Sequence, residues 1–237
     1  DLHKEYRRQR QMCIRDRYYD VLQNTVGGGK PKMKFHFTET VKEWPAVRGM
    51  GGRPTPADEA AGMALVDELQ DYKTECYKRL VTSAVPRPGV LELMDDAIAT
   101  EGLAVGICSA STRGGFEKVV DAVVGQSRLA KLDCVIAGDD VANKKPDPEI
   151  YDLAAKRLGV DRGACVVVED SLVGLRAAKA AGMRCVVTYT ASTAREDFYA
   201  EGADAKLPDM SAGVDATMLF ADGKPRAELL ADLRDAA

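Results

Sequence analysis

The sequence predicts an α/β protein, a parallel sheet with helices on both faces joined to a smaller helical region. Two observations carry this. From about residue 86 onward, short apolar runs without polar alternation take turns with stretches of helical periodicity, the texture of strands buried on both faces. Residues 18–85 are instead mainly helical in pattern and broken by glycine-rich stretches.

The chain opens with "DLHKEYRRQRQMCIRDR" (1–17), which is basic and has neither helical nor strand periodicity nor the apolar centre of a secretory signal. We read it as non-native or disordered, in the first case read-through from an adapter or a fusion scar. An Arg-rich transit peptide fits less well, because Asp1, Glu5 and Asp16 are out of place there. The helical region follows over 18–85, with breaks at "VGGGK" (26–30) and "RGMGGRPTP" (48–56). In "ADEAAGMALVDELQDYKTECYKRLV" the residues Leu65, Leu69, Tyr72, Cys76 and Leu80 recur at steps of three or four and predict one apolar face. "VPRPGV" (85–90) then ends the helical pattern and marks the boundary.

Over 86–237 four strands are expected, "LAVGICS" (103–109), "LDCVIAG" (132–138), "CVVVED" (165–170) and "RCVVTY" (184–189). Two of the intervening helices announce their ends. Asp147 is placed to cap one, with Pro148 at its first position and Gly159 closing it; the other runs from Ser171 to Gly182. Strand–helix alternation of this kind gives a Rossmann-like sheet, whose sites lie at the carboxyl ends of the strands. The tail "ADGKPRAELLADLRDAA" reads as a final amphipathic helix.

Composition narrows the function. At 237 residues, 46% hydrophobic and 30% charged, the chain can bury a full core, and no run approaches the roughly 20 apolar residues of a membrane span. A formal charge of −4, with Lys and Arg scattered among acids, argues against a nucleic-acid partner. Six dispersed cysteines, four of them in strand-like runs, fit buried thiols better than a disulfide framework. With His3 and His36 the only histidines and no CxxC or HExxH spacing, zinc sites and Ser/His/Asp triads have no support.

What remains is chemistry suited to phosphate. Ser109, with Ala110 and Ser111, ends the first strand and can offer a hydroxyl and backbone N–H groups to a phosphoryl oxygen. Lys145 precedes a helix start, where its ammonium can neutralise developing charge. Glu169 and Asp170 end another strand, and hard carboxylates of this kind suit Mg²⁺. Each feature alone has an ordinary alternative: a helix cap, a solvated turn, a surface acid pair. Their order along one sheet edge is far more specific.

That ordered set resembles the haloacid dehalogenase (HAD) superfamily of phosphohydrolases, with "ICSAS", "KKPDP" and "VVVEDSLVGLRAAKAAG" similar to its second, third and fourth motifs. "YYDVLQNTVGGGKPKM" and "AGDDVANKKPDPEIYDLAAKRLGV" are most similar to the CbbY-type sugar-phosphate phosphatases, plastid forms acting on xylulose 1,5-bisphosphate among them. The resemblance implies a HAD core over 86–237 and a helical cap over 18–85. Ser109 and Lys145 would orient the phosphoryl group and Glu169 and Asp170 would hold Mg²⁺. Gly27, Gly28, Gly29 and Lys30 would face the sugar, a loop between two cap helices being the ordinary alternative; the stretch is not a P-loop, since no GxxxxGK[ST] frame is present. Arg113 is a candidate for a second phosphate, the solvated face of a helix being the ordinary reading. The expected partner is a small phosphorylated sugar, the expected state a monomer and the expected location the plastid stroma.

The resemblance also requires a first motif of the form DxDxT, whose leading Asp attacks phosphorus. Nothing before Tyr18 fits it. Asp16 follows Arg15, has no second Asp two positions on, and stands only 14 residues ahead of Lys30. In the family that strand lies between the "ICSAS" and "VVVED" strands, so its absence predicts two buried edges with unpaired backbone groups. A chain of this kind is expected to be poorly stable or rearranged and catalytically impaired. A mutase of the β-phosphoglucomutase type and a non-catalytic phosphosugar-binding protein stay open. A receiver-type signalling domain does not, because its acid pair precedes the Ser and Lys.

Overall fold

The computed structural model describes residues 26, 29–46, 54–80, 83–211, 213–221 and 224–225. Segment 1–17, Asp16, Gly27, Gly28 and the tail from residue 226 lie outside them. The chain divides into two compact units between Arg79 and Leu80.

The first unit is helical. Helix α1 (Gly29–Phe35) runs into a π-helical turn (His36–Thr40), and α2 spans Glu59–Leu80. Gly29 and Lys30 thus open a helix, in place of the loop that was the ordinary alternative for this stretch. Exposed ion pairs join the two helices, Lys30 to Asp67 at 2.7 Å and Lys34 to Glu59 at 2.8 Å. The Trp44 ring lies so close over Gly62 that any Cβ there would overlap it, which makes glycine a steric requirement. The buried face of α2 centres on Leu65 and Val66, and Tyr72 is 54% exposed. Of the expected stripe Leu65 is buried and Leu69 and Cys76 are half-buried, while Tyr72 lies off the buried face. Gly62, against Trp44, and Val66 share that face with Leu65.

The second unit is α/β. Its elements are α3 (Val90–Ala99), β1 (Gly106–Cys108), α4 (Arg113–Val123), α5 (Gln126–Leu129), β2 (Cys134–Ile136), α6 (Glu149–Leu158), β3 (Val166–Glu169), α7 (Leu172–Ala180), β4 (Arg184–Thr188), β5 (Ala205–Leu207), α8 (Ala216–Leu219) and a small antiparallel pair, β6 (Phe220–Ala221) with β7 (Lys224–Pro225). All four expected strands form, each shorter than the apolar run that announced it. Helix ends follow local chemistry. Pro148 takes the cap position of α6, one residue later than expected, while the Asp147 carboxylate accepts the N–H of Glu149. Gly159 closes α6 at φ 68°, a left-handed conformation that disfavours a Cβ. Ser171 caps α7 by accepting the N–H of Gly174.

Both faces of β4 are covered. On β4, Cys185 and Val187 face a core built with α6, α7 and Phe198, whereas Val186 faces a second core with Leu207, Met210 and Leu219. A period of two inside an all-apolar run is what a strand buried on both sides requires. A third cluster packs Phe116 and Val120 of α4 on Ala137 beside β2. The thiols of Cys108, Cys134 and Cys185 are free, and burial pushes Cys108 up to about 12 and Cys185 upward as well. No helix among the described residues is long and apolar enough to cross a membrane.

The single expected sheet is divided. β1 pairs in parallel with β2, and β3, β4 and β5 pair in parallel in that order, as two separate sheets. Between β1 and β3 lies a cavity of about 330 Å³, lined by Cys108 and Val166 from the strands and by Leu93, Ala97, Tyr151 and Leu158 from α3 and α6. Among the described residues neither strand has a partner on the edge towards this cavity. Val168, in the middle of β3, is 41% exposed as a result.

Candidate active site

Lys145 connects the two halves of the divided sheet. Its ammonium donates to the Cys108 carbonyl at the end of β1 (3.2 Å), to the Tyr151 hydroxyl (2.9 Å) and to Glu169 Oε1 at the end of β3 (2.5 Å). The pair is sequestered, with the Lys145 side chain 8% and the Glu169 side chain 11% exposed. The Tyr151 hydroxyl in turn donates to Glu169 Oε1. Burial, and then the Glu169 charge, hold this phenol well above its ordinary pKa, so it stays a donor at neutral pH. The preceding lysine does something else. Lys144 turns to the carbonyls of Gly138 and Val141 and ties down the loop after β2. The Glu149 carboxylate accepts the N–H groups of Ala142 and Asn143, which fixes the approach of that loop to α6.

Ser109 and Ser111 form the loop after β1. The Ser109 N–H donates to Ile136 O, and its Oγ accepts the Ser111 N–H at 3.2 Å. Gly138 supports this loop. Its N–H donates to Ser111 O at 2.7 Å, and a Cβ at this position would overlap the Ala110 carbonyl. Arg113 is engaged here as well. Its guanidinium pairs with Asp140, and its backbone N–H donates to Asp139. Its side chain is 41% exposed, so it anchors the start of α4 to the loop after β2.

Asp170 follows Glu169 directly. Burial, and then the neighbouring Glu169 charge, raise its carboxyl pKa, while Arg87 and Lys145 pull it the other way. Arg87 has four acceptors at the ends of β4 and β5: Thr188 O (2.7 Å), Thr188 Oγ1 (2.6 Å), Tyr189 O (2.7 Å) and Pro208 O (2.8 Å). Sequence reasoning missed both Tyr151 and Arg87. For Tyr151 a signal existed, since it stands six residues after Lys145 in the first turn of α6. For Arg87 there was none, because its acceptors are more than 100 residues away in the chain.

Two adjacent carboxylates, with Asp170 raised by burial and then by the Glu169 charge, suit a divalent cation that would offset both. Among the described residues there is no group of three or more His, Cys, Asp and Glu placed to hold a metal. Two protein ligands are enough for Mg²⁺, which keeps waters and substrate oxygens in its remaining positions. Lys30 and Gly29 belong to the helical unit, where Lys30 is paired with Asp67.

A family profile of haloacid dehalogenase-like hydrolases matches residues 19–182. The chain belongs to this family. It is 47% identical over 196 residues to a haloacid dehalogenase-like hydrolase domain-containing protein of Arabidopsis thaliana, covering 82% of this chain and 60% of that protein. With the CbbY protein of Rhodobacter capsulatus it shares 34% identity over 197 residues, 82% of this chain and 77% of the relative. The crystal structure of CbbY from Rhodobacter sphaeroides in complex with phosphate superposes at a TM-score of 0.65, with 28% identity over 86% of this chain and 88% of that one. A CbbY mutant in complex with xylulose 1,5-bisphosphate superposes at 0.63, with 29% identity over 85% and 89%. The chain spans 60% of that Arabidopsis relative and 56% of another, a CBBY-like protein, and is of the CbbY type within the HAD family.

Proposed function

We propose that this is the phosphoryl-binding and metal-binding part of a Mg²⁺-dependent phosphatase acting on a small sugar phosphate or bisphosphate, with xylulose 1,5-bisphosphate as the model substrate. The observation that carries the reading is Lys145, whose ammonium spans the carboxyl ends of β1 and β3 and so stands between the Ser109 loop and the acid pair. CbbY crystallised with phosphate and with xylulose 1,5-bisphosphate supports the choice of ligand.

In this reading the Ser109 hydroxyl and the N–H groups of the 109–111 loop bind phosphoryl oxygens, and Lys145 orients the same group and offsets its charge. Glu169 and Asp170 hold Mg²⁺, which when bound supplies charge neutralisation to the transferring group. Ala110, Ser111, Gly28, Gly29 and Lys30 contribute to substrate binding, and the helical unit is the cap. Arg113 binds substrate only if it leaves Asp140. The family reaction forms a bond from an aspartate oxygen to phosphorus as the sugar oxygen departs, and water then releases phosphate. Among the described residues no aspartate lines the cavity between β1 and β3. We therefore assign that cavity to an Asp-bearing strand. A monomer in the plastid stroma completes the proposal, the location supported by a chloroplastic relative from Arabidopsis thaliana that is 40% identical over 140 residues.

The test is phosphate release from a panel of sugar phosphates and bisphosphates with Mg²⁺, comparing this chain with one fused to a DxD-bearing strand. Release by the fused chain alone supports the proposal, and its preferred sugar names the substrate. Isomerised sugar phosphate in place of free phosphate turns the reading to a mutase. Binding without turnover in a folded fused chain turns it to a phosphosugar-binding protein.

A further inference from the structure

We propose that Tyr151 and Gly174 are positioning residues that form a socket for the Glu169 carboxylate; that this tunes a metal site rests on reading Glu169 and Asp170 as the Mg²⁺ acids. The two act from opposite sides. Tyr151 is 5% exposed, and its hydroxyl donates to Glu169 Oε1 while accepting from Lys145 at 2.9 Å. The Lys145 ammonium also lies 4.6 Å from the centre of the Tyr151 ring, so ring and hydroxyl both fix where the charge sits. Gly174 is buried in the first turn of α7, and a Cβ there would fall within the Glu169 carboxylate, meeting its Cδ and Oε2. Helix propensity alone favours alanine at such a position. Glycine leaves the volume that the acid occupies. One oxygen is thus held by hydrogen bonds, and the other is bounded by helix backbone and by the Asp170 N–H at 3.2 Å.

A socket of this kind limits the side chain that can stand at the end of β3. Outer groups that orient a metal ligand typically change metal affinity about 10- to 100-fold when removed. Neither Tyr151 nor Gly174 needs to touch substrate for this.

The experiment uses the full 237-residue chain and a thermal-denaturation cycle of Gly174→Ala with Glu169→Ala, alongside Mn²⁺ binding followed by electron paramagnetic resonance. Gly174→Ala should lower the midpoint beside Glu169 and leave it unchanged or raise it when residue 169 is alanine. A purely helical or packing role gives the same sign in both backgrounds and would overturn the socket. Tyr151→Phe, which keeps the ring, supplies a second cycle if Gly174→Ala does not fold, and should cost more beside Glu169 than without it. Mn²⁺ affinity should fall about tenfold or more in Tyr151→Phe and in Gly174→Ala, with part of the loss recovered when Glu169→Asp shortens the acid beside Ala at 174. Wild-type affinity in both single variants overturns the positioning role. A wild type that binds no Mn²⁺ but shows the coupling in denaturation keeps the socket and removes the metal reading.

Discussion

Two lysine–carboxylate pairs, one in each unit, have nearly the same geometry and opposite surroundings. Lys30 and Asp67 meet at 2.7 Å with side chains 51% and 56% exposed, whereas Lys145 and Glu169 meet at 2.5 Å with side chains 8% and 11% exposed. Water screens the first pair, and its net contribution is small. The second has given up its hydration and depends on Tyr151 and the Cys108 carbonyl to complete its hydrogen bonds. Distance therefore says little about what a pair does. The helical unit spends its charges on a solvated surface, while the α/β unit keeps one pair where strand ends converge.

The sharpest way to break the comparison is Lys145→Met, which leaves Glu169 buried without its counter-charge. A loss of about 3–5 kcal/mol of stability is expected in urea denaturation, and Lys145→Met with Glu169→Leu together should recover most of it. Arg87→Ala comes next. It removes a charged donor from four acceptors, and at its partial exposure about 2 kcal/mol is expected, read from the same denaturation curves. Asp140→Asn is smaller and appears in pH dependence. The Ala137 N–H, and then Arg113, hold the Asp140 carboxyl below its usual range. Its folded pKa thus lies under the unfolded value near 3.9. Its contribution is present above about pH 4 and is lost as pH falls through the folded value. The asparagine variant should show a flatter acid limb in thermal midpoint against pH. Lys30→Ala should have the least effect on stability, with no measurable change in midpoint. If the strand-fused chain hydrolyses sugar phosphates as proposed, any loss from this variant should appear in KM.

Much of the α/β unit was legible because its strands are fully apolar and their ends are punctuated. "VVVED" changes from apolar strand to acids in one step, and Ser171 and Gly159 are helix boundaries that the backbone needs. β5 was not legible. Its three residues centre on Lys206, whose ammonium reaches the carbonyls of Ala194 and Glu196 and lies over the Tyr189 and Phe198 rings, so a charge sits inside a strand by tertiary contact alone. Ser109, Lys145, Glu169 and Asp170 could be singled out in the sequence from their places at strand ends and a helix start, but the hydrogen-bond partners that the structure gives them could not. Tyr151 looks like one more apolar position of an amphipathic helix until its hydroxyl is seen between Lys145 and Glu169. Tyr72 failed for the converse reason, since periodicity describes a helix and cannot say which of two adjacent rows its neighbours will cover.

The buried thiols have a consequence for how this protein can be watched. Only a thiolate attacks an alkylating reagent, and burial keeps Cys108 and Cys185 protonated at neutral pH. Cys108 borders the divided seam, while Cys185 is fully enclosed in β4. In the folded chain burial slows the reaction of both, and Cys185 is modified only as fast as its strand lifts away. The protein carries two internal clocks, one at the seam and one in the core. The interval between them measures how far the two halves of the sheet open independently.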